Sequence, residues 1–385
     1  MTVIGRLTHR PGRGARTALS AAATASATAA AVAFAAVASG AVASGAVTTA
    51  TGPAAGAGAA HGDASGGLAE CDGVQDRLER LEGRLTPNAC AFLRRQIAFG
   101  EAPTGTPPAP GDLDHPRVRL YQAIFDPEAT LWEAGGAPQR GLPAIGTSIT
   151  RSLGLVPDFR YRGTEVVADG AVVMFGQWNE ATVKGRPVAF PQIARNVLAD
   201  DGRTVQARRY YDRHALFAPV APELRPLFDG IADPAGVPAP PADRRGPEPF
   251  RAAEIGARLA AWNGEDVAAL AGRAGGARLG GPGLAAPLAT AEGKGSYLRR
   301  LFEQADLRFE SGQVAFGRSM AYVEWHGTAV PAWSRDPVTG KGTEVSFGIV
   351  ERFGPGGTWE LFFDTLPLIA DEGGIAALYG RLARP

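Results

Sequence analysis

The chain has 385 residues, more than one ordinary domain uses, and its 39 Lys and Arg balance its 39 Asp and Glu to a formal charge of zero. With no net field to draw in phosphates or anionic lipid, nucleic-acid binding is set aside as a function. Two domains plus extensions are what this length predicts.

The first 62 residues hold no acidic side chain; Arg6, Arg10, Arg13 and Arg16 precede an uncharged, Ala-rich run from Thr17 to Val47. Small-residue sites at Ala36-Val37-Ala38 and Ala41-Val42-Ala43 make residues 1–47 read as an export signal cleaved to give a secreted or extracytoplasmic protein. An uncleaved membrane anchor or an organellar transit segment are the alternatives. No paired arginines precede the apolar run, so the twin-arginine signature is missing. Thr48 to Gly67 is mostly Gly, Ala and Thr with almost no large apolar group, and residues 48–70 are expected to form a flexible tether.

Cys71 and Cys90 are the two cysteines of the chain. An oxidising compartment and a single possible pairing predict a disulfide between them, against the alternative of two buried free thiols. They bracket Val74 to Leu85, where Leu78, Leu81 and Leu85 recur at helical spacing, so residues 71–85 are expected to form a short helix clipped by the bridge. Two cysteines without partnered histidines give no zinc pattern, and neither metal nor cofactor is expected.

Proline recurs from Pro219 to Pro249, which predicts a semi-rigid linker over 221–249 between domains at 86–220 and 250–385. The two segments repeat one another. Val172 to Trp178, Lys184-Gly185, Val188-Ala189-Phe190, Arg195, Gly202 and Tyr210-Tyr211-Asp212 are answered in order by Ser319 to Trp325, Lys341-Gly342, Val345-Ser346-Phe347, Arg352, Gly357 and Phe362-Phe363-Asp364. This alignment sets Trp178 against Trp325. In the second copy, Ile255, Leu259 and Trp262 share one face of a helix ended by Asn263-Gly264. Glu265 to Ala271 predicts a second helix, and Tyr297, Leu298, Leu301 and Phe302 form the buried side of a third. Residues 307–310, 313–326, 343–352 and 359–366 alternate or run apolar between turns and predict strands. Helices gathered on one side of an antiparallel sheet define an α+β fold.

The first copy carries Gly111-Asp112-Leu113-Asp114, Leu120-Tyr121, Glu128 to Gly136, Gly141, Ile145 and Val205 to Phe217, and the second carries Arg258 to Asp266. These runs resemble the superfamily of ketosteroid isomerases, scytalone dehydratases, SnoaL-like polyketide cyclases and nuclear transport factor two. The resemblance implies two consecutive cone-shaped domains, each a curved sheet and about three helices around an apolar pocket. It does not by itself decide function, because members of such a fold include enzymes and non-enzymes.

Glu133 falls where isomerase-type members of that superfamily carry their general-base carboxylate, at the end of Ala129 to Trp132 and before a helix from Gly141. A desolvated carboxylate suits a base working near neutral pH; the plainer reading is an exposed loop glutamate. The oxyanion donors of the isomerase pattern, a tyrosine and a protonated aspartate, have no clear counterpart, since Ile193 or Ala194 stands where the aspartate belongs. Arg195, Asn196 and Tyr210 are substitute donors, although an arginine and an asparagine on a half-exposed strand more commonly form a solvated face. Asp212, in Tyr210-Tyr211-Asp212 beside His214, resembles the pocket aspartate of SnoaL-like cyclases, and strand alternation puts Tyr210 with Asp212 and Tyr211 opposite. Its plainer reading, and that of Asp364, is a turn-capping aspartate. His214 is a weaker catalytic candidate and His326 a weaker one still. Trp132, Trp178, Phe190, Tyr210, Trp325, Phe347 and Asp364 are the candidate ligand-contacting residues. The second copy has Leu279-Gly280-Gly281 where the first has Trp132-Glu133-Ala134, so its pocket is expected to bind without reacting. The sequence therefore predicts a small apolar ligand held without turnover, with a proton-transfer isomerase, dehydratase or cyclase using Glu133 or Asp212 as the alternative. The two copies are expected to pair sheet to sheet as an internal pseudo-dimer, with homo-oligomers a further possibility.

Overall fold

Gly83 bends the chain with φ +85° and lies so close to the carbonyl oxygen of Ala168 that an added Cβ would stand 2.0 Å from it. That contact fixes the start of the fold in a computed structural model that describes residues 71–235 and 252–384. The expected export signal and tether, and the central part of the Pro-rich stretch, lie outside the described residues.

Cys71 and Cys90 form a disulfide with a Cα–Cα distance of 5.3 Å, an ordinary span for such a bridge. The helix expected over 71–85 does not form. A 3₁₀ turn at Gln75–Arg77 leads into strand β1 (Arg80–Gly83), which pairs in parallel with β4 (Arg160–Asp169). The segment is too short to hold a helix alone, whereas the open edge of β4 offers its backbone hydrogen-bond partners, and Val74 and Leu78 still reach the core from the turn.

Helix α1 (Pro87–Gly100) opens with Thr86, whose Oγ1 accepts from the Ala89 N–H at 3.4 Å, and with Pro87, whose missing N–H costs nothing at a helix start. It is followed by α2 (Pro116–Gln122), β2 (Phe125–Glu133), the two-residue β3 (Gln139–Arg140) and α3 (Gly141–Leu155). Ile145, Ile149 and Leu153 recur every four residues and form the buried stripe of α3. Strands β4, β5 (Val172–Val183), β6 (Arg186–Leu198) and β7 (Thr204–Tyr210) complete a seven-stranded sheet of order β1-β4-β5-β6-β7-β2-β3, and α4 (His214–Phe217) closes the copy. Lys184 and Gly185, both at positive φ, make the two-residue loop between β5 and β6.

The second copy runs α5 (Ala252–Asn263), α6 (Val267–Arg273), β8 (Arg278–Gly280), α7 (Ala291–Gln304), β9 (Ala305–Phe316), β10 (Ala321–Pro331), β11 (Val345–Gly354) and β12 (Thr358–Phe362). Helices α8 (Leu366–Ile369) and α9 (Glu372–Ala383) follow, and the sheet order is β8-β12-β11-β10-β9. The five strands of the second sheet match β2, β4, β5, β6 and β7 of the first, with β8 parallel to β12 as β2 is parallel to β7; β1 and β3 have no counterpart among the described residues. The architecture is α+β with two sheets, as the sequence predicts.

Register corrects one detail of the repeat. Arg195 pairs with Met174 across β5–β6, and Arg352 pairs with Tyr322 across β10–β11. Trp178 is therefore equivalent to His326, and Trp325 to Gln177. Matching the two tryptophans by residue type slips the alignment by one position, and a slip of one sends every side chain to the opposite face.

Three cores result. One lies between helices and sheet in the first copy, around Phe92, Ile145 and Phe175. The corresponding core of the second copy holds Trp262, Trp325 and Trp359, and it also takes in Leu227 and Phe228 from the front of the stretch read as a linker. The third is shared: Met174, Ile193 and Tyr210 pack with Tyr322, Val350 and Phe362 along a seam where the sheets meet, flanked by Leu378 and Tyr379 of α9. Strands such as β5 are apolar on both faces because both faces are covered.

Candidate functional site

Glu133 ends β2 opposite Arg209 of β7, and this register sets its chemistry. The carboxylate is 7% exposed, accepts a hydrogen bond from the Tyr211 hydroxyl at 3.0 Å and lies 3.2 Å from the Arg209 guanidinium. Arg209 in turn stacks over Tyr121 at 4.9 Å. These groups surround a cavity of about 30 Å³, room for a water molecule or two, with Ser148, Ser152 and Gln192 in its wall. The glutamate is thus a buried, paired group inside the first cone and not an exposed loop residue.

A much larger space, about 510 Å³, opens between the two copies. Trp178 and Phe190 from the first sheet and Phe362 and Phe363 from the second line it, together with the polar side chains of Glu165, Gln192, Asp212, Arg352 and Glu360. Phe190 and Tyr211 stack at 5.5 Å and border both this cleft and the small Glu133 cavity, so the pair forms the wall between them. Burial pushes Asp212 up to about 6, the nearby Asp364 charge adds to the shift, and bonds from Thr365 and His214 oppose it. Strand alternation misplaces its neighbours: β7 stops at Tyr210, so Tyr211, not Tyr210, lines the cleft beside Asp212.

A third space of about 250 Å³ lies across the seam between β2, β3 and β7 on one side and β10 and β11 on the other, with Trp132, Phe347 and His326 in its lining. Successive side chains on β2 point to opposite faces, which is why Trp132 and Glu133 serve different cavities.

Among the described residues, side chains occupy the centre of the second cone. Glu351, fully buried, receives the Trp325 indole N–H at 2.9 Å, the Trp359 indole at 3.2 Å, the Trp262 indole, and the Arg258 guanidinium at 2.5 Å. A desolvated carboxylate is tolerated only when so completely satisfied, and three indoles and a guanidinium leave it no free lone pair for a ligand. Trp325 is therefore core, not ligand contact, contrary to expectation.

Other expected residues are engaged elsewhere. Arg195, Asn196 and Tyr210 are buried and not a solvated face. Arg195 lies 3.0 Å from Glu324 of the second copy, and the Tyr210 hydroxyl donates to the same carboxylate at 2.5 Å. Desolvation pushes Glu324 upward, but Arg195 and Arg208 outweigh it and hold the group below the usual carboxylate range. Asp364 pairs with Arg213 at 2.6 Å, and His214 Nε2 contacts the Leu224 carbonyl at 2.8 Å, a structural partner. The structure brings together Asp212, Trp178 and Phe190; Trp132 and Phe347 share another cavity; Glu133 sits in its own. Sequence reading missed Arg209, Glu324 and Glu351, which carry no motif and acquire partners only through sheet register.

No protein-family model and no curated protein sequence matches the chain. Solved structures similar to it are SnoaL-like, nuclear transport factor two-like, ketosteroid isomerase-like and polyketide cyclase proteins, each covering about a third of the chain. TerC, crystallised with polyporic acid, is 14% identical, covers 34% of this chain and 95% of its own, with a TM-score of 0.28. A protein with a ketosteroid isomerase-like fold from Catenulispora acidiphila, in complex with trimethylamine, is 19% identical over 32% of this chain and 89% of its own (TM-score 0.27). A SnoaL-like polyketide cyclase from Jannaschia is 14% identical over 35% and 94% (TM-score 0.28).

Proposed function

We propose that the chain is an exported protein whose two SnoaL-like copies act as an internal pair and hold a small, largely apolar molecule in the cleft between them, without turnover. The observation that carries this reading is the cleft itself, about 510 Å³ and walled by Trp178, Phe190, Phe362 and Phe363, a volume and lining suited to a small organic ligand. The state of Glu133 supports binding over chemistry. Paired with Arg209, hydrogen-bonded by Tyr211 and walled off from the cleft, it is not poised to take a proton from a bound molecule. Export rests on the N-terminal composition and accords with the Cys71–Cys90 disulfide.

A second reading is favoured by one group. Asp212 lines the cleft and is raised to about 6, which suits a general base near neutral pH, so a proton-transfer enzyme of the isomerase, dehydratase or cyclase type is the alternative. The test is a thermal-shift screen of the purified mature protein against small apolar compounds, repeated on Trp178→Ala. Binding weakened at least tenfold by Trp178→Ala, with the ligand recovered unchanged, supports the binding reading. Conversion of the ligand by the parent but not by Asp212→Asn replaces it with the enzyme.

A further inference from the structure

The cleft and the 250 Å³ cavity occupy matching places in the two copies. Ala189 and Phe190 line one where Ser346 and Phe347 line the other, and Trp178 of the first corresponds to His326 of the second. Their charges are opposite. Glu165, Asp212 and Glu360 border the cleft against Arg352, itself held by Glu165 and Glu360. The smaller cavity has the cations Arg140 and Arg208 in its lining, beside His326, which burial and Arg208 hold toward its neutral form, and no carboxylate among them.

Its positive charge is not consumed by neighbours. Arg208 shares the Glu324 carboxylate, at 3.3 Å, with Arg195, so two guanidiniums answer one acid. Arg140 stands exposed at the rim with no ion-pair partner among the described residues. Trp132, which lines the cavity and is only 8% exposed, has a buried indole N–H without a hydrogen-bond partner. A buried donor left unpaired is costly, and it marks a place where an acceptor is missing. Phe347 and the Trp132 ring supply flat apolar walls beside these donors.

We propose that this cavity is a second binding site, distinct from the cleft, that takes a small organic anion: a carboxylate carried on an aromatic or other flat apolar body. The carboxylate meets Arg140 and Arg208 in the polar part of the lining, with Ser346 and His326 as further donors, while the body lies against Trp132 and Phe347.

The probe is benzoate, titrated calorimetrically into the purified protein, with benzamide as the neutral isostere and inorganic phosphate as the anion lacking an apolar body. Benzoate is expected to bind at one site, benzamide and phosphate at least tenfold more weakly. Arg140→Gln, an exposed position that leaves thermal stability unchanged, is expected to weaken benzoate at least tenfold. Trp178→Ala in the cleft is expected to leave it unaltered, which separates this site from the apolar-ligand cleft. Failure of benzoate to bind, equal affinity for benzamide or phosphate, indifference to Arg140→Gln, or loss in Trp178→Ala each overturns the proposal.

Discussion

Asp212 and Asp364 cap each other's strand ends. Asp212 Oδ1 accepts from the His214 N–H at 3.1 Å and from the Thr365 N–H and hydroxyl at 3.2 and 2.8 Å. Asp364 Oδ1 accepts from the Leu366 N–H at 3.4 Å and the Arg213 N–H at 3.1 Å. Each aspartate thus binds the amide two residues on in its own copy and the residue following its counterpart in the other. The repeated aromatic-aromatic-Asp sequence records this exchange. It combines the two readings of the aspartates, since both cap, and Asp212 also faces the cleft.

The exchange is unequal, because Asp364 additionally neutralises Arg213, which is 1% exposed. Asp364→Ala strands a buried guanidinium and is expected to cost about 3–5 kcal/mol, read from urea unfolding. Thr365→Val, which removes only a hydroxyl bonded to Asp212, is expected to cost about 1 kcal/mol. Equal effects of the two would show that the ion pair adds nothing beyond the cap.

Asp212 gives the seam a pH dependence of definite sign. Its folded value of about 6 lies above the unfolded value of about 4, so between these pH values the folded state holds more protons. Stability therefore falls as pH rises through that window, by about 1–2 kcal/mol for this half-buried group, and is flat above it. Glu324, held low, contributes in the opposite sense at lower pH but is common to parent and variant. The stability difference between Asp212→Asn and parent is thus expected to grow from pH 4 to pH 7, measured by denaturant unfolding at each pH. A constant difference would remove Asp212 from the account.

The α+β architecture was legible because it rests on local signals: Ile145, Ile149 and Leu153 at helical spacing, the Lys184-Gly185 turn, and a repeat long enough to see. Glu133 at the end of its strand before a helix was legible for the same reason. What escaped is set by register and by the seam. The hydrophobic spacing of Leu78 and Leu81 fits a helix as well as a turn followed by an edge strand, and only the open edge of β4 decides between them. Burial of Arg195 depends on a second sheet lying over the first, which no window of the first copy contains. Glu351 looks like any strand glutamate until β10, β12 and α5 each bring a tryptophan to it.

Glu133→Gln keeps the shape of the first cone but weakens its pairing with Arg209. A loss of about 1–3 kcal/mol is expected, because a half-buried cation loses its counter-charge while Tyr211 keeps an acceptor. The affinity of a cleft ligand is expected to stay within twofold, since the Phe190–Tyr211 wall intervenes. A hundredfold fall in turnover of any substrate would instead make Glu133 the base.

The Cys71–Cys90 bridge ties the leading turn to α1, outside both sheets. Its reduction, or Cys71→Ser with Cys90→Ser, is expected to lower stability by at most about 3 kcal/mol, the figure for a loop of this length, and to leave both copies folded. Hydrogen exchange should rise over residues 71–78 and remain unchanged in β5 and β6. Loss of protection throughout the first copy would show that the bridge holds the cone together.

Met174, Ile193 and Tyr210 on one side and Tyr322, Val350 and Phe362 on the other are apolar faces that neither copy can bury alone. Polar links cross with them, among them Arg195 and Tyr210 to Glu324, Arg352 and Tyr322 to Glu165, and Glu82 to the Ser319 and Met320 amides at 2.7 and 3.0 Å. Cutting the chain removes the apolar cover and leaves buried Arg195 of the first copy without Glu324, the more damaging loss because unpaired buried charge is not tolerated. Residues 71–220 expressed alone are therefore expected to associate through the exposed sheet, seen by sedimentation, and to melt roughly 10 °C or more below the whole protein. In the full chain, Glu324→Gln tests the polar part separately: it leaves the apolar faces covered but Arg195 and Arg208 without a counter-charge, so stability falls while the protein remains unassociated. A monomeric first half as heat-resistant as the whole chain would mean that the two copies merely touch, and the internal pair would be lost with it.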